Sequence, residues 1–112
     1  MPLGVFVTDA KGKPYYINSR GKQLLGKGLI ATNDSEKTRQ FYQIYLTGSE
    51  QIYPRDRDPI CCALQGKNVH VDDMEIRQSD RSIPIEVWGR PIYNEQGNIA
   101  YAIAVFADIS EN

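Results

Sequence analysis

The feature that most constrains the fold is the run Ile99–Ala107, in which every residue is apolar and which ends at Asp108. Nine residues are too few to cross a bilayer, and they suit a central strand buried on both faces. Apolar and other side chains alternate over residues 83–87 with the two-residue period of a strand. The polar segment 94–98, with Gly97, has the composition of a tight turn. The last third of the chain is therefore predicted to be a β-hairpin on which the rest is built.

The elements before this hairpin are indicated by turn and cap residues. Strands are predicted over 4–8 and 15–17, joined by a turn at Gly12, and over 69–78. Helices are predicted within 19–28, where glycine limits the helix to two turns, between an Asn33 cap and Gly48, and from Asp58 to Gly66. In the second helix Phe41, Ile44 and Tyr45 would share the packed face, and Arg39 would lie on the polar one. Strands separated from helices along the chain predict an α+β fold with an antiparallel sheet.

Composition and charge disfavour several classes of function but do not identify one. The net charge is −1, with Lys and Arg spread thinly, so there is no basic footprint for nucleic acid or for a membrane surface. Cys61 and Cys62 are adjacent, which disfavours a disulfide and favours a reducing compartment. Residues 1–13 lack the pattern of a secretion signal. We expect one cytoplasmic domain over 1–112, cut from a longer protein.

Several short motifs, taken together and in order, resemble the PAS domain family of sensory modules. The turn with Asp9 and Gly12, followed by Asn18, is similar to the first hairpin of that family. The stretch DPICCALQGKNV over 58–69 resembles the helix and turn before its third strand. The last hairpin carries the family's proline and glycine, and the chain then reads Asp108-Ile109-Ser110, close to the Asp-Ile-Thr triplet where PAS domains join their effector linker. Residues 29–53 match no part of the family pattern.

The resemblance implies a fold and a mode of action. It implies a five-stranded antiparallel sheet in the order 2-1-5-4-3, with short helices on one face and the last strand at the centre. It also implies a sensory module of a bacterial multi-domain signalling protein, with a histidine kinase or nucleotide cyclase as effector. A homodimer through the outer sheet face is expected, because a bare apolar face would be a large exposed patch.

The site expected on this basis is a cavity between the sheet and the helices. It would hold a small apolar or amphipathic ligand, or be filled by the protein's own side chains. Its predicted lining is Ile44, Leu64, Met74, Ile76, Val87 and Ile103. A change in packing would be transmitted to the effector by Asp108, Ile109 and Ser110, which we call the relay. Asp108 is its central polar residue.

No cofactor is predicted. Haem-binding relatives supply a histidine from the helix before the third strand, whereas His70 lies beyond that helix. The N-C-R-F-L-Q signature of flavin-binding relatives is absent. Zinc on Cys61, Cys62 and His70 with a nearby aspartate is disfavoured, because adjacent cysteines rarely reach one tetrahedral ion. A redox role for either thiol stays open.

Catalysis has the least support in the sequence. No nucleophile elbow, phosphate-binding loop or zinc-protease motif occurs. The alternatives kept open are a small α+β enzyme that uses a buried Asp and a Tyr, with Asp72 beside Asp73 as the nearest acid, and a haem- or flavin-binding sensor.

Overall fold

A computed structural model describes residues 2–110 of the chain. Its strands form one antiparallel sheet and are β1 (Gly4–Asp9), β2 (Pro14–Ile17), β3 (Ile44–Leu46), β4 (Val69–Gln78), β5 (Arg81–Tyr93) and β6 (Ile99–Asp108). The helices are α1 (Ser19–Leu25), α2 (Ser35–Tyr42) and α3 (Pro59–Leu64), with a 3-10 turn over Arg55–Arg57.

The strand order across the sheet is β2-β1-β6-β5-β4-β3. The apolar run of β6 therefore lies in the interior of the sheet, where Val105 pairs with Val5 of β1 on one side and with Trp88 of β5 on the other. The predicted α+β fold, the order of the five strands and the central place of the last one are confirmed. The sheet has six strands rather than five, because a short strand β3 is added at the edge beside β4.

The added strand corrects the predicted helix between Asn33 and Gly48. Asp34, not Asn33, caps α2 by accepting from the backbone N–H groups of Glu36 and Lys37. The helix stops at Gln43, whose φ of 56° is left-handed, and Ile44–Leu46 then pair with β4. A three-residue apolar run fits a helical face and a strand equally well, so periodicity alone cannot separate them.

Ile103 of β6, which was predicted to line the cavity, faces away from the helices. Ala102, Ala104 and Phe106 are buried against the helices, whereas Ile103 and Val105 are half-buried on the opposite face. We call the helix-covered side the inner face and the other side the outer face. The inner face of β6 carries alanines because a helix lies close above it: α3 contacts both β5 and β6.

Gly89 shows how close that helix is. A Cβ atom at Gly89 would lie 2.7 Å from both Cβ and the carbonyl oxygen of Pro59, the first residue of α3. Backbone cannot move aside as a flexible side chain can, so only glycine allows α3 to dock at this height.

The Gly89→Ala variant is therefore expected to lose about 1–3 kcal/mol of unfolding free energy, the usual range for an overpacked core. Urea unfolding followed by circular dichroism measures this loss. Gly28→Ala is the matched control, because Gly28 is exposed, has no atom within 4 Å of the added Cβ and should change stability by no more than about 0.5 kcal/mol. Equal effects of the two substitutions would contradict close docking of α3 on β5.

Candidate functional site

A cavity of about 740 Å³ lies between the inner face of the sheet and helices α2 and α3. This volume falls within the range of roughly 300–1,000 Å³ that small-molecule sites occupy. The floor is formed by side chains from three of the strands, mostly apolar, and they are Phe6, Thr8, Ile85, Val87, Ala104 and Phe106. The one polar group on that floor, the Thr8 hydroxyl, donates to the carbonyl of Asp9 at 3.0 Å.

Of the six predicted lining residues, the structure brings four to the cavity wall: Ile44, Leu64, Met74 and Val87. Ile76 is fully buried in the core but is not part of the wall. Ile103 lies on the outer face, one residue from Ala104, which does line the cavity. The two-residue period placed Ile103 and Ala104 on opposite faces, but it did not say which of them faces the helices.

The mouth of the cavity is polar. It is formed by exposed residues from the β1–β2 turn, the start of α2 and the 3-10 turn, namely Lys11, Asn33, Asp34, Glu36 and Arg55. An apolar floor below a polar mouth is the arrangement of an amphipathic binding site.

A buried ion pair forms one wall. Arg39 of α2 donates from Nη1 to Oδ2 of Asp58 at 2.6 Å, and the two side chains are 7% and 11% exposed. The other oxygen of Asp58 accepts from the backbone N–H of Ile60 at 2.8 Å and so caps α3. One carboxylate thus fixes the two helices that enclose the cavity. Burial alone would lower the pKa of Arg39, but the hydrogen bond and charge of Asp58 outweigh it, and the pKa of Arg39 is raised.

Sequence reasoning missed Arg39, which it placed on the polar face of α2. Its position is dictated by the shortness of that helix and by the closeness of Asp58, which lies 19 residues further along the chain. The only available signal was that Asp58 and Pro59 begin a helix, which marks Asp58 as a cap but not as an ion-pair partner.

The cysteines and the histidine lie on different sides of the sheet. Cys61 lines the cavity, with its Sγ 3.6 Å from Nη1 of Arg39. Burial raises the pKa of the Cys62 thiol, which makes that thiol a weaker nucleophile at neutral pH. The chain's single histidine, His70, is exposed on the outer face, where it stacks on Trp88 and lies 2.6 Å from a carboxylate oxygen of Glu86.

These positions bear on cofactors. A histidine ligand for haem cannot come from within the cavity, since the only histidine of the sequence lies on the outer face. Between Pro2 and Ser110 no three His, Cys, Asp or Glu side chains are grouped as metal ligands. The zinc set of Cys61, Cys62 and His70 is thus not assembled in the described chain.

The acids considered for catalysis lie away from the cavity. Asp72 and Asp73 occupy a register shift in β4, with Asp72 exposed. Asp73 accepts from the hydroxyl of buried Tyr53 at 2.6 Å and pairs with Arg57. Burial, followed by the hydrogen bond to Asp73, raises the pKa of Tyr53. This Asp–Tyr pair anchors the segment after β3 to the bulge of β4, and it does not line the cavity.

The predicted relay lies at the end of β6. Oδ1 of Asp108 accepts from the backbone N–H of Ser110 at 2.8 Å and from its hydroxyl at 2.6 Å. Ile109 donates its N–H to the carbonyl of Pro84 in β5 at 3.0 Å. The three residues therefore form one hydrogen-bonded turn, which fixes the direction in which the chain leaves the sheet.

The charge on Asp108 is favoured by this turn. Partial burial alone would raise the pKa of Asp108, but the hydrogen bonds from Ser110 and the positive charges of Arg20 and Arg81 lower it below its usual value. A carboxyl with a lowered folded-state pKa adds stability at pH values above its unfolded pKa of about 3.9, and this stability is lost as the pH falls through the folded value.

We therefore expect the turn at Asp108 to open on acidification below about pH 4. The amide resonance of Ser110, followed by NMR from pH 6 downwards, should titrate with Asp108, and its hydrogen exchange should lose protection relative to the intrinsic rate at each pH. Asp108→Asn should remove this titration. A Ser110 amide that is insensitive to pH in the wild type would contradict the described turn.

The outer face of the sheet is apolar along its centre. Half-buried Val5, Val7, Ile103 and Val105 lie beside Trp88, which is 41% exposed. Tyr15 and Tyr101 extend the patch toward β2, with ring centroids 5.4 Å apart. An apolar patch of this kind on a sheet face is typical of a protein–protein contact.

A family model described as PAS domain matches residues 2–111, almost the whole chain. The chain belongs to the PAS domain family. PAS domains are sensory modules rather than catalytic units, and the family assignment predicted from the sequence motifs is confirmed.

Solved structures show the same fold at low sequence identity. The N-terminal domain of a Marinobacter aquaeolei diguanylate cyclase with a PAS/PAC sensor is 15% identical, with a TM-score of 0.68 and coverage of 97% of this chain and 96% of that one. The LOV domain of the blue-light photoreceptor Aureochrome1 is 22% identical, with a TM-score of 0.68 and coverage of 96% and 82%. A blue-light activated histidine kinase from Erythrobacter litoralis is 12% identical, with a TM-score of 0.69 and coverage of 100% and 34%.

No curated protein matches the sequence significantly. The solved structures with a similar fold include a domain of a diguanylate cyclase and a histidine kinase, in which this fold is one domain among others. In the described residues no helix combines the length and apolarity needed to cross a membrane.

Proposed function

We propose that this PAS domain is a sensor whose cavity binds a small molecule and whose sheet carries the resulting change to an effector domain. The observation that carries the proposal is the position of the 740 Å³ cavity. Its floor includes the inner faces of β5 and β6, and β6 ends in the turn of Asp108, Ile109 and Ser110. Occupancy of the cavity can thus alter the strand that leads out of the domain.

The output is proposed to be a histidine kinase or a nucleotide cyclase in the same parent chain, located in the cytoplasm. Support for this comes from the neighbours, which include domains of proteins of both kinds. The residues that follow Asn112 would connect the turn at Asp108 to that effector. A differential contact in the cavity of about 1.4 kcal/mol is enough to change a two-state output tenfold.

The outer face is proposed as the homodimer surface. Ile103 pairs with Val7 and Arg90 at the middle of the sheet, inside the apolar patch. Two copies packed through this patch would place their two exit turns at one interface. A change in sheet packing would then act on both effector chains together.

A chain extended by the residues that natively follow Asn112 tests this arrangement. We expect the extension to add helical signal in circular dichroism and to give a dimer in sedimentation velocity. Ile103→Lys should return the protein to a monomer, because each copy would bring an unpaired cation into the contact beside its own Arg90.

Glu95→Gln, a change at an exposed turn residue outside the patch, is the control and should leave the dimer intact. An extended chain that stays monomeric at all concentrations tested would contradict the dimer. Dimerisation unaffected by Ile103→Lys would place the interface on another surface.

A pigment-binding sensor is the second candidate, because one structural neighbour is the LOV domain of a blue-light photoreceptor. The visible absorption spectrum of freshly purified protein distinguishes the two. An absorption spectrum typical of haem or flavin would show that the protein binds a pigment, and it would contradict binding of a colourless small molecule.

A further inference from the structure

The buried guanidinium of Arg39 has hydrogen-bonding capacity that the protein does not use. A guanidinium carries five N–H donors, and here only Nη1 has partners, Oδ2 of Asp58 and Sγ of Cys61. Nε is buried without a partner anywhere in residues 2–110. Since Arg39 is 6% exposed and lines the cavity, water reaches it poorly, and a buried donor left unpaired costs about 1–3 kcal/mol.

The charge of Arg39 is already balanced. Asp58 neutralises it at 2.6 Å, and the cations and anions around the whole cavity are equal in number: Lys11, Arg39 and Arg55 against Asp34, Glu36 and Asp58. A second buried carboxylate beside this pair would be an uncompensated charge next to Asp58, which costs several kcal/mol. The site therefore offers unused donors but no unbalanced positive charge.

The strand-derived part of the wall, away from the polar mouth, is mostly apolar. Phe6, Met74, Val87, Ala104 and Phe106 present hydrocarbon to the same space. A ligand that fills it has to be mainly apolar, because each polar atom buried there without a partner is destabilising.

We propose that the cavity selects an uncharged, mainly apolar small molecule with a hydrogen-bond acceptor, a carbonyl or a ring nitrogen, that pairs with the free N–H groups of Arg39. This inference rests on the proposed ligand-binding function and adds the chemical class of the ligand. Nε has almost no accessible surface in the described structure, so the pairing requires the guanidinium to turn until its Nε and Nη2 edge faces the acceptor, while the single hydrogen bond from Nη1 to Asp58 is kept.

Three probes of nearly equal shape test the proposal: 2-acetylnaphthalene, which has a neutral acceptor, 2-isopropylnaphthalene, which has none, and 2-naphthoate, which is anionic. Dissociation constants are measured by fluorescence for the wild type and for the double variant Arg39→Met/Asp58→Asn. The double variant removes both charges, and the asparagine that replaces Asp58 is also a good helix cap. The ratio of the acetyl to the isopropyl affinity should be about tenfold or more higher in the wild type than in the double variant.

Lys11→Met is the control, because Lys11 is a cation at the exposed mouth, and its removal should leave the ratio unchanged. NMR of the wild type gives a second readout that needs no variant to fold. The Nε–H resonance of Arg39 should move further downfield with 2-acetylnaphthalene than with 2-isopropylnaphthalene, because the two probes share the ring-current shift but only the acetyl group accepts a hydrogen bond.

The outcomes separate this inference from the proposed function. Binding of both neutral probes with the same ratio in wild type and double variant, and equal Nε–H shifts with the two probes, overturns the acceptor but leaves a ligand cavity. Tightest binding of 2-naphthoate overturns the uncharged class. Binding of none of the probes overturns this inference, and the cavity function on which it rests is overturned with it if the native mass spectrum also shows no bound molecule.

Discussion

Asp58→Ala is expected to lower the free energy of unfolding by about 3–5 kcal/mol, the range for breaking a buried ion pair on one side. The substitution leaves the charge of Arg39 uncompensated in the interior. It also removes the oxygen that caps α3. Because domains of this size are stabilised by only about 5–15 kcal/mol, this loss is a large part of the total stability. Chemical denaturation followed by circular dichroism measures the loss.

Two comparisons identify the cause. Asp56→Ala removes an exposed carboxylate two residues away and should cost no more than about 0.5 kcal/mol. Arg39→Met/Asp58→Asn removes the pair as a whole and keeps a cap, so it should recover most of the stability lost in Asp58→Ala. A double variant as unstable as Asp58→Ala would mean that the ion pair is not what holds α2 against α3.

Ala104→Phe is the second change with a large expected effect, and it acts on binding. Ala104 lies on the cavity floor between its strand partners Phe6 and Gly89. A phenyl ring at this position occupies space that a ligand would need, and we expect ligand affinity to fall at least about tenfold, or about 1.4 kcal/mol. The measurement is titration of 2-acetylnaphthalene into wild type and variant.

Ile103→Phe is the matched control. It introduces the same side chain one residue along β6, where the strand presents its outer face. Binding should be retained in this variant. Equal losses in the two variants would indicate that the probe does not sit against the inner face of β6.

The fold was largely predictable because its main signals are local and agree with one another. The apolar run Ile99–Ala107 marks a central strand, Gly97 allows the preceding turn with φ of 83°, and Asp58 with Pro59 starts α3. Each of these signals is visible within a few residues of sequence. The family motifs fall at the same places.

The features that sequence did not predict depend on contacts between distant segments. Ile44–Leu46 form a strand only because β4 offers an unpaired edge, with Tyr45 opposite Glu75. The inner face of β6 is set by the closeness of α3 at Gly89, so small Ala104 faces the cavity and larger Ile103 faces outward. Hydrophobic size alone would suggest the reverse, since large apolar side chains usually fill the core.

The candidate site was half predictable for the same reason. Apolar wall residues such as Met74 and Val87 follow from strand alternation. The pair of Arg39 and Asp58 does not, because it joins two helices whose relative position is fixed only by the complete packing. The relay residues Asp108 and Ser110 do form one turn, and its role as the exit of a signal stays a prediction.

The most direct test of a ligand-binding sensor compares native and denaturing mass spectra of the protein as isolated from cells. We expect the native spectrum of the wild type to show a small added mass that denaturation releases, that Ala104→Phe lacks and that Ile103→Phe retains. A wild-type native mass equal to that of the bare chain, together with no binding of the naphthalene probes, would contradict the account.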